Sequence, residues 1–193
     1  MANWNILSAR IDAAAQGMKP LVMPEGWADG SGDRDGYFRM GLDPDKPGCA
    51  MIQSTPVAEF QRDRRFGTLM QSISAEPYQG GAVRVACELS CKDLEGTATI
   101  WLRVDDAQGR VLRFENLLDR GNVALRGTED WTGFAITLDA PENAESVHFG
   151  FMVHGRGTGW ARNFTVERVD AADAPKRRKP YRFEQPTNLA FGN

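Results

Sequence analysis

Few residues in this 193-residue chain are equipped for chemistry, and they are scattered along it. There are two histidines, His148 and His154, which is too few for a histidine-rich metal centre. His154 stands in "MVHGRGTGW", Glu88 in "ACELS" and Arg103 in "IWLRVDD". An imidazole base, a carboxyl acid or base and a guanidinium to hold an oxyanion would suffice for a cofactor-free lyase, isomerase or cyclase. With Trp101, Gln71, Asp119 and Arg120 added, the same groups compose a small-molecule cleft: an aromatic wall with a few converging polar side chains. No glycine-rich phosphate loop between strand and helix, no HExxH, no paired CxxC and no GxSxG serine is present, so neither a cofactor nor a metal is implied. No two carboxylates can be assigned to glycosidase spacing.

Each of these residues also has a structural explanation. Arg103 and Glu88 fit a cross-strand ion pair. Trp101 fits a position covered by the C-terminal tail, by the 121–126 segment or by a second subunit. His154 adjoins a glycine-rich turn, where it would be solvated, and the face taken by His148 depends on whether a bulge intervenes. Asp119 and Arg120, in "LLDR", fit a pair bracing a loop.

The elements that must position these groups read as strands. In "GTATIWLRVDD" (96–106), Ile100, Leu102 and Val104 alternate with Thr99, Trp101 and Arg103, the period of a half-buried strand. Similar runs occur at 37–43, 49–55, 67–74, 82–90, 97–105, 110–117, 132–139, 146–155 and 160–169, split by Gly, Pro and Asp. That pattern predicts an all-β, two-sheet antiparallel sandwich. Alternation turns Val83, Val85, Cys87, Leu89, Phe149, Phe151 and Val153 inward, leaving Arg84, Glu88, Ser90, His148, Met152 and His154 on the other side. "DDAQGR" (105–110) predicts a hairpin, "HGRGTGW" (154–160) a tight hairpin or loop tip, and "DAPENAES" (139–146) a crossover. Residues 5–16 suggest a short helix. The chain therefore divides into an N-terminal extension (1–23), the sandwich (24–170) and a tail (171–193) whose apolar residues suggest docking.

Composition sets further bounds. The formal net charge is −3, so nothing in the overall charge draws the chain to nucleic acid or to an anionic membrane. The KRRK block of the tail reads as a solvated linker. No apolar run approaches the roughly 20 residues of a membrane span, and the N-terminus lacks a secretory pattern. Three cysteines, Cys49, Cys87 and Cys91, form no disulfide framework and fit buried free thiols in a reducing cytoplasm.

The segments "PEGW", "YFRMGLD", "FGTLMQ" with "YQGGAVRV", "WLRVD", "FENLLDR" and "DW" before a strand ending in "LDAP" resemble a known family. It is the bacterial jelly-roll domain akin to galactose-binding and carbohydrate-binding modules, found alone or fused to AraC-type transcription regulators. The resemblance covers about three quarters of the chain. It implies an antiparallel sandwich with one concave face, and fold alone does not decide the ligand. Three departures stand out. Glu115 occupies a usual Asp position, "GNVALR" (121–126) intervenes before "GT", and Ala161, Arg162 and Asn163 follow Trp160 where the family has one or two Asp. The last change weakens any carry-over of a calcium site. The family often opens with "NLxFE"; here the chain ends in "PTNLAFGN", which suggests a strand returned to its own sandwich or exchanged with a second copy, giving a homodimer.

Three readings follow. The first is a jelly roll binding a sugar-like or aromatic small molecule on its concave face around Trp101 and Arg103, with Glu88, Gln71, His154, Asp119 and Arg120. The second is a cofactor-free enzyme using His154, Glu88 and Arg103 on that face. The third is a structural or dimerisation module. The relatives' helix-turn-helix has no counterpart in this sequence, because residues 5–16 are too short to supply two helices.

Overall fold

The structure is a computed structural model and describes residues 18, 20–32, 36–56, 66–119, 121 and 123–174. The expected helix at 5–16, the docked tail and Arg120 lie outside the described residues. Eight strands are described: β1 (Ala28–Asp29), β2 (Phe38–Leu42), β3 (Ala50–Ser54), β4 (Phe66–Ser74), β5 (Gly81–Asp106), β6 (Val111–Asn116), β7 (Leu125–Ala140) and β8 (Ala144–Val169). All their pairings are antiparallel.

Two strands, β5 and β8, are 26 residues long and pass from one layer of the sandwich to the other. Their register separates two sheets. Sheet I runs β1–β4–β8–β5–β6 and uses residues 144–155 of β8 and 97–106 of β5. Sheet II runs β2–β3–β8–β5–β7 and uses residues 158–169 of β8 and 81–92 of β5. The all-β two-sheet sandwich expected from the alternation is therefore the observed fold. Its core joins Ile100, Leu102, Val104, Phe149 and Phe151 of sheet I to Val83, Val85, Leu89 and Ile136 of sheet II. Trp27, from "PEGW", packs its ring edge on Phe149 and Phe164, 5.9 and 5.0 Å between centroids.

The segment 154–160 corrects the expectation of a hairpin. β8 continues straight through it. Its glycines serve close approach at the layer crossing. A Cβ at Gly155 would strike the Glu95 carbonyl, and one at Gly96 would strike that of His154. Gly155 and Gly157 also have φ of +81° and +124°, which an L side chain tolerates poorly. The predicted strands 82–90 and 97–105 likewise merge into one. The 105–110 hairpin is present, closed by Asp106 N–H to the Arg110 carbonyl at 3.0 Å. Cys49, Cys87 and Cys91 are buried free thiols.

Residues 20–24 lie against the β2 end of sheet II. Leu42 N–H donates to the Val22 carbonyl at 2.7 Å, and Gly41 admits the Leu21–Val22 backbone where any Cβ would collide.

Candidate functional site

Directly paired residues of neighbouring strands project on the same side of a sheet, so the register locates every candidate. Trp101 and Arg103 are on the outer face of sheet I and Glu88 is on the outer face of sheet II. These faces look away from each other across the core. Alternation along β5 marks both as pointing away from the core, but the strand serves two sheets, and its core-facing residues switch from odd positions (Val83, Val85, Leu89) to even ones (Ile100, Leu102, Val104), so pointing away from the core does not mean sharing a face. The expectation of one cleft holding Trp101, Arg103 and Glu88 is therefore corrected.

Gln71 is corrected too. It shares the parity of Leu69 and Ile73 and pairs with Phe149, so it points to the interior, with its Nε2 beside Gly26. His154 is on the outer face of sheet I, tilted against Phe66 with centroids 5.2 Å apart. Arg103 is opposite His148, six residues from His154 on β8, or about 20 Å along the strand. His154, Glu88 and Arg103 thus form no common constellation. Asp119 exchanges hydrogen bonds with Asn116 within its own loop, each 2.9 Å.

On the outer face of sheet I, Trp101 is sealed, with 7% of its surface exposed. Its indole crosses β8 at Gly150, where no side chain intervenes, and its Nε1 donates to Thr68 Oγ1 on β4 at 2.8 Å. That hydroxyl donates onward to the Phe151 carbonyl at 2.8 Å. Further along, Arg103 Nη2 reaches Asp105 Oδ2 at 2.8 Å, and His148 Nε2 is 3.4 Å from the same oxygen. His148 also contacts Ser72 Oγ and Ser146 Oγ, at 2.7 and 2.9 Å. Burial and the neighbouring Arg103 charge push the His148 pKa down, against a smaller upward pull from Asp105. Burial alone lowers that of His154. Both imidazoles therefore favour the neutral form.

The outer face of sheet II is built differently. In register across it stand Gly133 of β7, Glu88 of β5 and Arg162 of β8; the next row holds Ser90, Trp160, Met51 and Gly41. Arg162 Nε donates to Glu88 Oε2 at 2.6 Å, and Asn163 Nδ2 donates to the same oxygen at 3.1 Å. The guanidinium is over the Trp131 ring, 4.0 Å from its centroid. Hydrogen bonding and charge from Arg162, with a further bond from Asn163, hold the Glu88 carboxyl below its ordinary range, so it is an ionised acceptor. Trp131 packs on a cluster of Cys49, Met51 and Trp160. The Trp160 indole is fixed by Asp43 Oδ2 at 2.6 Å beneath Lys46.

Small residues leave room beside this group. A Cβ at Gly133 would meet nothing within 4 Å, and Ala86 and Ala135 pair with each other on the same face. Ser90 Oγ is buried without a hydrogen-bond partner among the described residues. Arg162, Asn163 and Trp131 were not among the sequence-derived candidates. The signal for two of them is the replacement of the family's Asp positions after Trp160.

No family model matches the chain. It is 31% identical over 173 residues to an uncharacterized HTH-type transcriptional regulator, YbfP, of Bacillus subtilis (strain 168), a match covering 86% of this chain and 56% of the regulator. The chain thus spans little more than half the length of that curated relative. Among solved structures it is similar to a CBM4 carbohydrate-binding module, with 16% identity, 77% of this chain and 94% of that one covered, and a TM-score of 0.50. It also matches the tandem CBM22-1-CBM22-2 domain of Paenibacillus barcinonensis Xyn10C, with 11% identity, 82% and 44% coverage, and a TM-score of 0.51. The fold is a jelly roll. The same jelly roll recurs in the CBM22-1-GH10 modules of Clostridium thermocellum xylanase Xyn10B complexed with xylohexaose: 10% identity, 76% and 27% coverage, TM-score 0.51. At these identities the likeness concerns the jelly roll itself.

Proposed function

We propose that this jelly roll binds a sugar-like, polyhydroxylated small molecule on the outer face of sheet II, beside Trp131, Arg162 and Glu88. One observation carries the reading. The Glu88–Arg162 pair is locked by Asn163 on one side and Trp131 on the other, while Glu88 Oε1 and the two terminal nitrogens of Arg162 have no hydrogen-bond partner among the described residues. A fixed acceptor next to fixed donors complements vicinal hydroxyls, each of which both donates and accepts. Both side chains remain over a third exposed, at 36% and 39%, so a ligand can reach them. Gly133 and the paired alanines leave space for a ring against the sheet, and Trp131 gives that space an apolar wall.

The carbohydrate-binding modules that share the fold support the class of ligand, and the regulator relative fits a sensing role for it. Trp101, whose indole nitrogen is already satisfied, serves as structure in this reading. Native electrophoresis in gels containing soluble polysaccharides, with an oligosaccharide panel by calorimetry, tests it. Binding lost in Trp131→Ala and Arg162→Ala and kept in Trp101→Phe is the expected outcome. Binding lost only in Trp101→Phe overturns the assignment of the face.

A further inference from the structure

One row on the outer face of sheet I carries groups that the sheet II reading leaves unused. In register stand Ser72 of β4, His148 of β8, Arg103 of β5 and Phe114 of β6. Ser72 is exposed, and its Oγ is 2.7 Å from His148 Nδ1. The other ring nitrogen, Nε2, is 2.9 Å from Ser146 Oγ and 3.4 Å from Asp105 Oδ2. A carboxylate accepts and does not donate, so its nearness assigns the ring proton to Nε2. Nδ1 then keeps its lone pair and accepts from the Ser72 hydroxyl. Asp105 is anchored in turn: its side chain is 4% exposed, and Arg103 Nη2 is 2.8 Å from its Oδ2. An exposed hydroxyl thus meets an imidazole whose far nitrogen faces a buried carboxylate, the order of groups that activates a serine.

The backbone supplies a further donor. Gly30 N–H donates to the Thr68 carbonyl at 3.0 Å, so the even-numbered residues of β4 turn their backbone groups towards β1. β1 reaches only to Ala28, opposite Met70, and no described strand lies beyond Ser72. The Ser72 N–H therefore opens outward at the sheet edge, beside its own Oγ, where it can hold a developing oxyanion. We propose that Ser72, with His148 as its base, is the nucleophile of a hydrolytic site for small activated carboxylic esters, separate from the sheet II face. Ser72 Oγ bonds to the ester carbonyl carbon as its proton passes to His148 Nδ1. The bond to the leaving oxygen then breaks, and that oxygen takes the proton from Nδ1. Water repeats the sequence on the acyl-serine. One of its protons goes to Nδ1, its oxygen bonds to the acyl carbon, and Ser72 Oγ departs and regains a proton. The sum is ester and water to carboxylic acid and alcohol. One oxyanion donor on an open surface suits short acyl chains with good leaving groups such as phenols.

Hydrolysis of p-nitrophenyl acetate by the full chain, with mass-spectrometric mapping of the adduct left by a fluorophosphonate probe, tests it. The adduct should be on Ser72. Ser72→Ala, a change at an exposed position, should remove both the adduct and the protein-dependent rate. His148→Asn should lower that rate about a hundredfold, the lower end for loss of a positioned base. The rate should rise with pH to a plateau, with its midpoint below the ordinary histidine value of 6.5, because His148 must be neutral to act. Asp105→Asn should move the midpoint lower still, since Asp105 is the group that pulls it up. Absence of an adduct, an adduct on another residue, a rate kept in Ser72→Ala or a midpoint unmoved in Asp105→Asn would overturn the proposal. None of these results touches the sheet II reading.

Discussion

Replacing Trp101 with phenylalanine separates a structural tryptophan from a ligand platform. In the structure the indole is buried and its Nε1 donates to Thr68 Oγ1 at 2.8 Å, itself only 2% exposed. The substitution removes that bond, at a net cost of about 1 kcal/mol. It also removes the second ring of a side chain lodged against Gly150, where loss of buried area and the residual cavity cost roughly 1–2 kcal/mol more. The expected destabilisation is about 2–3 kcal/mol, or roughly 5–10 °C in Tm for a chain of this size. Urea unfolding monitored by circular dichroism reads it, and Thr68→Val completes a double-mutant cycle. A coupling of about 0.5–1 kcal/mol between the two positions is expected, because they share one bond. If Trp101→Phe stays within ~0.5 kcal/mol of the parent yet abolishes ligand binding, the sealed indole and the assignment of the face are both wrong.

Three further outcomes follow from the titratable groups. Glu88 has a lowered pKa, so its pairing with Arg162 is complete above the ordinary carboxylate value and is lost only as pH falls through the lowered one; saccharide affinity should hold to about pH 4.5 and fall below it, and Glu88→Gln should flatten the profile. His148 and His154 are depressed bases, so the unfolded chain takes up their protons first; the urea midpoint should drop as pH falls from about 6.5 towards their folded values, and His148→Asn should remove part of that slope. Burial pushes the Cys87 thiol up to about 12, and Cys49 and Cys91 are buried and raised as well; Ellman's reagent should label none of the three in the folded protein at pH 8 and all of them in urea, whereas rapid native labelling would contradict the buried assignment.

The fold was legible in the sequence because period-two alternation is a local signal, and nine apolar runs with turn residues between them leave few architectures open. Face assignment was not legible, for a geometric reason. Alternation tells whether Glu88 or Trp101 points away from the core, but β5 passes from sheet II to sheet I, so two residues of one strand that both point away from the core end on opposite surfaces. The glycines of "HGRGTGW" misled in the same way: a Gly that permits a turn is indistinguishable in sequence from a Gly that lets two backbones touch at a crossing. Gln71 has the parity of Leu69 and Ile73, and its amide is turned inward beside Gly26, where a polar residue type alone gives no sign of burial. What the sequence did signal was "WARN". The departure from acidic residues after Trp160 put a guanidinium and an amide where they clasp Glu88, a partner 74 residues away that only the register of β5 and β8 supplies.

The proposed ligand face is the outer surface of sheet II. Titrating ¹⁵N-labelled protein with an oligosaccharide selected from the panel tests it most directly. Shifts are expected to concentrate on Gly133, Glu88, Arg162, Asn163 and the Trp131 indole N–H, while the Trp101 indole N–H stays where it is. Shifts centred on Trp101, Arg103 and His148, with the sheet II signals unmoved, would contradict it.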